Sequence, residues 1–345
     1  MPSITLTIND QPVTAFAGAS LCEVARDQGT EIPTLCHHPD LSPVGSCRLC
    51  LIEIDGCEHL LPACKQTAEE GLRVRTDSPR VIEARRMVLR LLLSNYHAGT
   101  ATRRGSAETE FERRLREYDV RAIASTSTSR PHVEDSDDNP FIRVDLNKCI
   151  LCTRCVRACA EVQGRFVWGV AERGHESHIV VGAGMSMLDA RCESCGACAA
   201  YCPTGALDDR HSFGLGVPDR LVTTTCTYCG VGCQFDLNVK DDRIIRVTSN
   251  PDAPVNGMHL CVKGRYGFDF MHHPDRLTRP RVRREILEGR PRPTGQPRGE
   301  WIDVDWDRAL DIVAEKLVAV HRESGSAAIG MLSSAKCSNE ENYLA

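Results

Sequence analysis

The sequence predicts an α+β protein built from several small modules along one chain. Nineteen cysteines in 345 residues fall mostly into three groups, which are separated by cysteine-free stretches. Short alternating apolar segments, typical of strands, lie near these groups together with a few helical segments. We expect each module to be organised around its cysteines, because modules of this size bury too little apolar surface to be stable unaided.

The composition favours a protein that keeps its thiols reduced. Hydrophobic residues make up 41% of the chain, and a net charge of −5 argues against a broad basic surface for nucleic acid. The N-terminus, MPSITLTIND, lacks the features of a secretory signal, and no apolar run approaches the ~18 residues that span a bilayer. We therefore expect a cytoplasmic protein without a membrane span, whose cysteines bind metal rather than form disulfides.

The first module is predicted over residues 1–77. Two alternating segments, ITLTI and PVTAF, flank Asn9 and Asp10 and predict a hairpin. Ser20 is a candidate cap for a short helix that ends at Gly29. Widely spaced thiols around one central pair then suit the planar [2Fe–2S] cluster, and the candidate ligands are Cys36, Cys47, Cys50 and Cys64.

Residues 78–125 are predicted to form a helical spacer, and residues 126–140 a polar linker. Ser78 is a candidate helix cap, Pro79 suits the first turn, and the helical pattern runs on to His97. No cysteine occurs between Cys64 and Cys149.

Residues 141–215 contain the densest cysteine pattern, a C-x2-C-x2-C-x3-C run that occurs twice, the second time followed by Pro203. This is the bacterial ferredoxin spacing, in which the fourth cysteine of each copy binds the cluster of the other copy. Zinc sites also use C-x2-C pairs, but a repeated triple of this kind is uncommon in them. We expect two [4Fe–4S] clusters, one bound by Cys149, Cys152, Cys155 and Cys202, the other by Cys159, Cys192, Cys195 and Cys198.

Residues 219–275 hold the third group, with candidate [4Fe–4S] ligands Cys226, Cys229, Cys233 and Cys261. Two alternating segments, QFDLNVK and RIIRVTS, flank Asp241 and Asp242 and predict a hairpin between the third and fourth ligands. Lys263 follows two residues after the last ligand, where a solvated surface lysine is the simple interpretation.

The order of these modules resembles the α subunit of soluble, NAD-linked formate dehydrogenases that depend on molybdenum or tungsten. In that family a β-grasp [2Fe–2S] domain, a double-cubane ferredoxin domain and a C-x2-C-x3-C…C-V-K-G domain occur in this order. Residues 276–345 contain PDRLTRPRVRR, WIDVDWDRALDIVAEKL and SSAKCSNEENYL, which look like the start of its bis-molybdopterin guanine dinucleotide domain. We expect one helix there, from Trp306 to His321 with Asp305 as its cap, and one strand, AAIGML, in a truncated α/β segment.

The resemblance implies a formate dehydrogenase subunit whose metal site lies beyond this segment, so that no catalytic residue is assigned and the segment alone is catalytically incomplete. Formate would be oxidised to carbon dioxide at the molybdenum or tungsten pterin, and electrons would pass through one [2Fe–2S] and three [4Fe–4S] clusters. The partner would resemble the flavin- and NAD-binding subunits of NADH dehydrogenase. In the family, the lysine that matches Lys263 belongs to the electron path between cubane and pterin.

Three cysteines stay outside the ligand sets, and we interpret Cys22, Cys57 and Cys337 as structural. Related plans provide alternatives: the large chain of an NADH dehydrogenase or hydrogenase-type complex, and a stand-alone electron-transfer adaptor without an active site. The formate dehydrogenase family also carries a cluster bound by H-x3-C-x2-C and a later cysteine. Here Ala101 and Arg104 occupy the first two cysteine positions after His97, so we predict that this cluster is missing.

Overall fold

The computed structural model describes residues 2–96, 108–121, 135–290, 295 and 299–344. The chain divides into two compact units. The first unit comprises Met1–Thr225 and Cys233–Tyr266, and the second comprises Cys226–Gly232 and Gly267–Ala345.

The first unit begins with a five-stranded mixed sheet and one helix: β1 (Ser3–Ile8), β2 (Gln11–Phe16), α1 (Leu21–Asp27), β3 (Leu51–Ile54), β4 (Leu61–Pro62) and β5 (Arg73–Arg75). The spatial order is β2-β1-β5-β3-β4, and only the β1–β5 pair is parallel among these described strands. The apolar residues of β1 and α1 form one core, which includes Leu6, Ile8, Leu21 and Val24.

The predicted hairpin is confirmed, because Asn9 (φ 49°) and Asp10 (φ 61°) form the two-residue turn between β1 and β2. The capping role predicted for Ser20 is wrong. Ser20 precedes α1, but its side chain makes no capping hydrogen bond, and the residue is held in a β-bridge with Thr67. The helix itself ends at Asp27.

Helix α2 (Pro79–Ser94) follows the sheet and starts as predicted. The Ser78 hydroxyl accepts a hydrogen bond from the backbone N–H of Val81 at 3.2 Å, and Pro79 occupies the first turn. The described helix ends at Ser94, before the predicted end at His97, which lies outside the described residues.

Helix α3 (Glu110–Glu117) lies within the predicted helical spacer, although its bounds were not predicted from the sequence. It begins with a capping box in which Thr109 and Glu112 exchange hydrogen bonds between side chain and backbone. Both α2 and α3 pack on a second apolar cluster, which contains spacer residues and the three candidate metal ligands Cys36, Cys47 and Cys152. The members of this cluster are Leu35, Cys36, Cys47, Leu49, Leu89, Tyr96, Phe111, Val120, Ile150 and Cys152.

The next part of the first unit repeats a strand–helix arrangement: β6 (Ile142–Val144), α4 (Arg154–Arg157), β7 (Trp168–Ala171), β8 (His178–Val181), α5 (Ala197–Ala200) and β9 (Leu207–Asp209). Strands β6 and β9 form one antiparallel pair, and β7 and β8 form another. Helix α4 continues into a π-helical turn over Ala158–Val162, which contains Cys159.

A three-stranded antiparallel sheet completes the first unit, with β10 (Arg220–Thr225), β11 (Gln234–Lys240), β12 (Arg243–Ser249) and the short helix α6 (Val262–Tyr266). The predicted hairpin is confirmed, since Asp241 (φ 48°) and Asp242 (φ 59°) turn β11 into β12.

The described part of the second unit contains a short antiparallel strand pair and three α-helices: β13 (Arg281–Arg283), α7 (Arg284–Leu287), β14 (Trp301–Asp303), α8 (Trp306–Ser324) and α9 (Asn339–Leu344). Asp305 caps α8 by accepting from the Arg308 N–H at 2.7 Å, as predicted, but α8 extends beyond His321. The strand predicted over AAIGML is wrong. Residues Ser326–Ala328 form a 3₁₀ turn, and no strand among the described residues pairs with Ile329 to Leu332.

Within the described residues, we find no helix with the length and apolar character that crossing a membrane requires.

Candidate metal centres

The first candidate centre is formed by a loop and a later 3₁₀ turn of the N-terminal sheet domain. The four predicted ligands, Cys36, Cys47, Cys50 and Cys64, are all buried. The backbone N–H of Cys36 donates to Cys47 Sγ at 3.4 Å, and the N–H of Cys47 donates to Cys36 Sγ at 3.5 Å. Such N–H···S bonds stabilise negative charge on sulfur, as thiolate ligands require.

The thiols of this centre influence one another strongly. Donation from the Cys47 thiol lowers the pKa of Cys36 to about 5. Hydrogen bonds from Cys22 and then Cys64 lower the pKa of Cys50 to about 3. Two of the four predicted ligands therefore favour the thiolate form, whereas the same hydrogen bonds raise the pKa of their donors Cys47 and Cys64.

Cys22 is a fifth thiol at this centre, which the sequence did not indicate. It is buried on α1, and its hydrogen bond with Cys50 raises its own pKa. Its burial agrees with the structural role predicted for it. No spacing rule points to its contact with a ligand, because the contact depends on how α1 packs against the loop that leads to β3.

Two cavities in the ferredoxin-like part match the crossed ligand pattern. Apolar side chains, including Ile179 and Leu207, line one cavity together with Cys149, Cys152, Cys155 and Cys202. The other cavity is lined by Trp168 and Val167 among others, together with Cys159, Cys192, Cys195 and Cys198. In each case the fourth thiol comes from the other copy of the motif.

Each of these cavities is lined by four thiols. Among the described residues, no three His, Cys, Asp or Glu side chains are arranged so that they could hold a single metal ion. Apolar cavities lined by four thiols have the ligands that a cubane needs, since its four irons each take one thiolate.

The two copies share an unusual backbone conformation. Leu151 and Thr153 in the first copy, and Ser194 and Gly196 at the same positions in the second, all have positive φ. This conformation aims backbone N–H groups at sulfur: Leu151 donates to Cys149 Sγ at 3.4 Å and Ser194 donates to Cys192 Sγ at 3.3 Å. For residues with a Cβ, left-handed conformations cost of order 1–2 kcal/mol each, so the loops store strain to present these donors.

Burial controls the protonation of these thiols. It raises the pKa of Cys149 and of Cys152 to about 12, and it raises the pKa of Cys155 and of Cys198 well above the usual range. At neutral pH such thiols stay protonated unless a metal cation takes the place of the proton.

The third cysteine group is divided between the two units. Cys226 and Cys229 belong to the second unit, whereas Cys233 and Cys261 belong to the first. This ligand set therefore stays a prediction. Lys263 is exposed at the start of α6, and Cys337, for which we predicted no metal, is half-buried in the second unit.

Arg265 is a site residue that sequence reasoning missed. It is 5% exposed on α6, and its Nε donates to the carbonyl oxygen of Cys195 at 2.9 Å. Its Nη2 donates to Ser249 Oγ at 2.9 Å. Burial lowers the pKa of the Arg265 guanidinium. One buried cation thus links α6 and β12 to a candidate ligand loop.

Comparison with family models identifies four consecutive domains. Residues 2–79 match the 2Fe-2S iron-sulfur cluster binding domain. Residues 139–208 match the ferredoxin-like domain of NADH-quinone oxidoreductase subunit 3. Residues 219–273 match the molybdopterin oxidoreductase Fe4S4 domain, and residues 276–345 match molybdopterin oxidoreductase.

Curated relatives carry names from several oxidoreductase classes. A subunit of an NADH-quinone oxidoreductase from Rhizobium meliloti is 34% identical over 333 residues, which are 96% of this chain and 37% of that protein. "Putative formate dehydrogenase YrhE" of Bacillus subtilis is 27% identical over 392 residues, covering 99% of this chain and 38% of that protein. The chain thus spans a little over a third of the length of these relatives.

A solved structure agrees with these matches. The structure of an NAD+-reducing [NiFe]-hydrogenase in the H2-reduced state has a chain that is 26% identical, with a TM-score of 0.56. The match covers 61% of this chain and 89% of that one. The chain therefore carries, in this order, a [2Fe–2S] domain, a ferredoxin-like [4Fe–4S] domain, and the Fe4S4 and following domains of molybdopterin oxidoreductases.

Proposed function

We propose that this chain is the iron–sulfur part of an electron-transferring oxidoreductase subunit, with one [2Fe–2S] and three [4Fe–4S] clusters. The observation that carries the proposal is the pair of apolar cavities, each lined by three cysteines of one motif copy and the fourth of the other. The ligand sets are those predicted above, with Cys36, Cys47, Cys50 and Cys64 at the [2Fe–2S] centre.

The residues of the chain would set the properties of each centre. Backbone N–H groups of Leu151, Val167 and Ser194 donate to ligand sulfurs at 3.3–3.4 Å. Thr204 Oγ1 lies 3.6 Å from Cys202 Sγ. Hydrogen bonds to sulfur and burial are the means by which proteins tune iron–sulfur potentials over a wide range.

We infer that the substrate of the whole protein is formate and that NAD is the final acceptor. The support is the order of the four matched domains, together with a relative named as a formate dehydrogenase. A molybdenum or tungsten bis-molybdopterin guanine dinucleotide, when bound, would supply hydride abstraction from formate. Lys263, exposed at the start of α6 and two residues past Cys261, would be the electron relay beside that cofactor.

A flavin- and NAD-binding partner would complete the path. The proposal rests on relatives whose names place them in an NADH-quinone oxidoreductase and in an NAD+-reducing hydrogenase. Because the most identical of the relatives described above belongs to an NADH-quinone oxidoreductase, a role in an NADH dehydrogenase complex is the second candidate.

The cluster content can be tested on this chain directly. After anaerobic reconstitution, we expect about 14 irons per chain, the sum of one [2Fe–2S] and three [4Fe–4S] clusters. Electron paramagnetic resonance of the reduced chain should resolve both cluster types. Zinc in place of iron would contradict the proposal.

A test of the proposed substrate requires the whole protein, isolated from its host together with its partners. Formate should bleach the iron–sulfur absorbance and reduce NAD, and molybdenum or tungsten should copurify. If NADH reduces the centres but formate does not, the NADH dehydrogenase role is favoured instead.

A further inference from the structure

The guanidinium of Arg157 lies between the loops of two candidate centres. On α4, its Nη2 donates to the carbonyl oxygen of Cys36 at 2.5 Å and to that of Cys152 at 3.1 Å. Its Nη1 donates to the carbonyl oxygen of Ser42 at 2.6 Å. One side chain thus contacts the backbone of a predicted [2Fe–2S] ligand and of a predicted [4Fe–4S] ligand.

Arg157 is buried, at 7% exposure, and among the residues that the structure describes no carboxylate pairs with it at salt-bridge distance. Glu161, one helical turn further on, instead accepts from the Ser42 N–H. Its Nε is also buried without a hydrogen-bond partner in that part of the chain. A buried cation without a counter-ion is strongly unfavourable. The carbonyl dipoles compensate it only in part, so the site calls for a further anion.

The neighbouring Arg154 differs from Arg157 in having a carboxylate partner. It is also buried, at 3% exposure, and its Nη2 donates to the carbonyl oxygen of His37 in the same loop at 2.6 Å. Its Nη1, however, pairs with Glu110 at 2.6 Å. Arg154 and Glu110 form a neutral pair, and Arg157 does not have such a partner among the described residues.

Other contacts hold the same loop. The N–H of Ser42 donates to Glu161 Oε2 at 2.8 Å, and Tyr201 Oη donates to Asp40 Oδ2 at 2.7 Å. The loop that carries Cys36 is therefore fixed at several points besides Arg157. The position of the loop should survive the loss of the Arg157 charge.

We propose that Arg157 is a positioning residue shared by two iron–sulfur centres, and that its charge, which no described carboxylate pairs directly, raises the reduction potentials of both. The inference rests on the ligand sets of the proposed function. A cluster with four thiolates is an anion, and it becomes more negative when reduced. A buried cation that contacts the backbone of both ligand loops therefore favours the reduced form.

The test is a redox titration of the reconstituted chain, followed by electron paramagnetic resonance, for wild type and Arg157→Gln. Glutamine retains N–H donors but no charge. At a fixed potential, the ratio of reduced to oxidised cluster in Arg157→Gln should be about tenfold lower than in wild type at the [2Fe–2S] centre and at the Cys152 centre. This ratio corresponds to a reduction potential that is lower by about 59 mV for a one-electron step. The centre of Cys192, Cys195, Cys198 and Cys159 should shift less.

The matched control is the double variant Arg154→Gln, Glu110→Gln, which removes a neutral pair beside the same loop. Its potentials should stay at the wild-type values, while its unfolding temperature falls. Equal shifts in the control and in Arg157→Gln would overturn the proposal, because loop displacement would then explain both.

A wild-type chain without iron would refute the proposed function, whereas normal loading with unchanged potentials in Arg157→Gln refutes only this inference. If Arg157→Gln fails to load, Arg157→Lys replaces it. Lysine keeps the charge, so wild-type potentials in Arg157→Lys support the inference and lowered potentials overturn it.

Discussion

The Nε of Arg265 on α6 donates to the carbonyl oxygen of Cys195 at 2.9 Å. The part of the chain that matches the molybdopterin oxidoreductase Fe4S4 domain therefore contacts a candidate ligand loop of the ferredoxin-like part directly. The adjoining Gly196 permits this contact. An added Cβ at Gly196 would clash with Arg265 Cδ and with Tyr266 Oη. Close approach and a positive φ of 73° both require glycine here.

The first prediction concerns Gly196→Ala. The substitution adds left-handed strain to a steric clash, and we expect a loss of about 3–5 kcal/mol of stability. The measurement is the midpoint of thermal bleaching of the cluster absorbance. The matched control is Gly164→Ala, where φ is +62° and nothing lies within 4 Å of the added Cβ, so that only about 1–2 kcal/mol of strain is expected. Equal losses in both variants would show that the clash with α6 is relieved without cost.

The second prediction tests the crossed ligands. Cys202→Ser should abolish the resonance of the centre that contains Cys149, Cys152 and Cys155, because Cys202 lines that cavity. The signal of the other centre, which contains Cys192, Cys195 and Cys198, should remain. Cys337→Ser is the control and should keep full iron content. Loss of the Cys192–Cys198 centre instead would refute the crossed arrangement.

The third prediction concerns Cys22. Its thiol hydrogen-bonds with the predicted ligand Cys50, so Cys22→Ala should keep the [2Fe–2S] cluster but lower its reduction potential. Cys50→Ala should lose the cluster altogether. The measurement is an electron paramagnetic resonance titration of both variants. If Cys22→Ala lost the cluster, Cys22 would be a ligand. That result would contradict the predicted ligand set, which does not include Cys22.

The fourth prediction concerns iron removal. The core of the ferredoxin-like part contains Cys155, Cys159 and Cys198 themselves, and burial keeps Cys155 and Cys198 protonated without metal. The apo-protein should therefore lose ordered structure over residues 140–215. Hydrogen exchange and far-UV circular dichroism before and after chelation provide the measurement. An unchanged spectrum would show that the apolar residues keep this part of the chain folded without iron.

The hairpins and the crossed cavities follow from short-range signals. Asn9-Asp10 and Asp241-Asp242 tolerate the left-handed conformation of tight turns, and alternation on either side fixes the strands. The repeated cysteine spacing predicts which thiols share a cavity, because three close thiols can occupy only three corners of a cubane.

The missed features depend on tertiary contacts. Arg157 and Arg265 look like ordinary surface arginines in the sequence, and only the packing of α4 and α6 buries them. Ser20 has the right residue type for a cap, but the β-bridge to Thr67 determines its position. The segment AAIGML has the pattern of a strand, yet a strand needs a neighbour, and none of the described residues pairs with it.

The last prediction concerns the missing cluster. His97 lies outside the described residues, and the sequence offers no cysteine between Cys64 and Cys149 to join it. The described part of the spacer instead packs directly on the ligands of two centres, since Leu89, Phe111, Cys36, Cys47 and Cys152 share one apolar cluster. The cysteines predicted to bind the [2Fe–2S] cluster and Cys152 thus lie close together. If both clusters are bound as proposed, we expect their reduced forms to interact magnetically.

His97→Ala should therefore keep the wild-type iron content and the same spin interaction between these two centres. Iron analysis and electron paramagnetic resonance of the fully reduced chain measure both quantities. Leu89→Ala is the informative counterpart, because it opens the shared apolar cluster at a fully buried position and should cost about 2–5 kcal/mol of stability. A loss of about four irons in His97→Ala would reveal a further cubane and refute the absence predicted from the sequence.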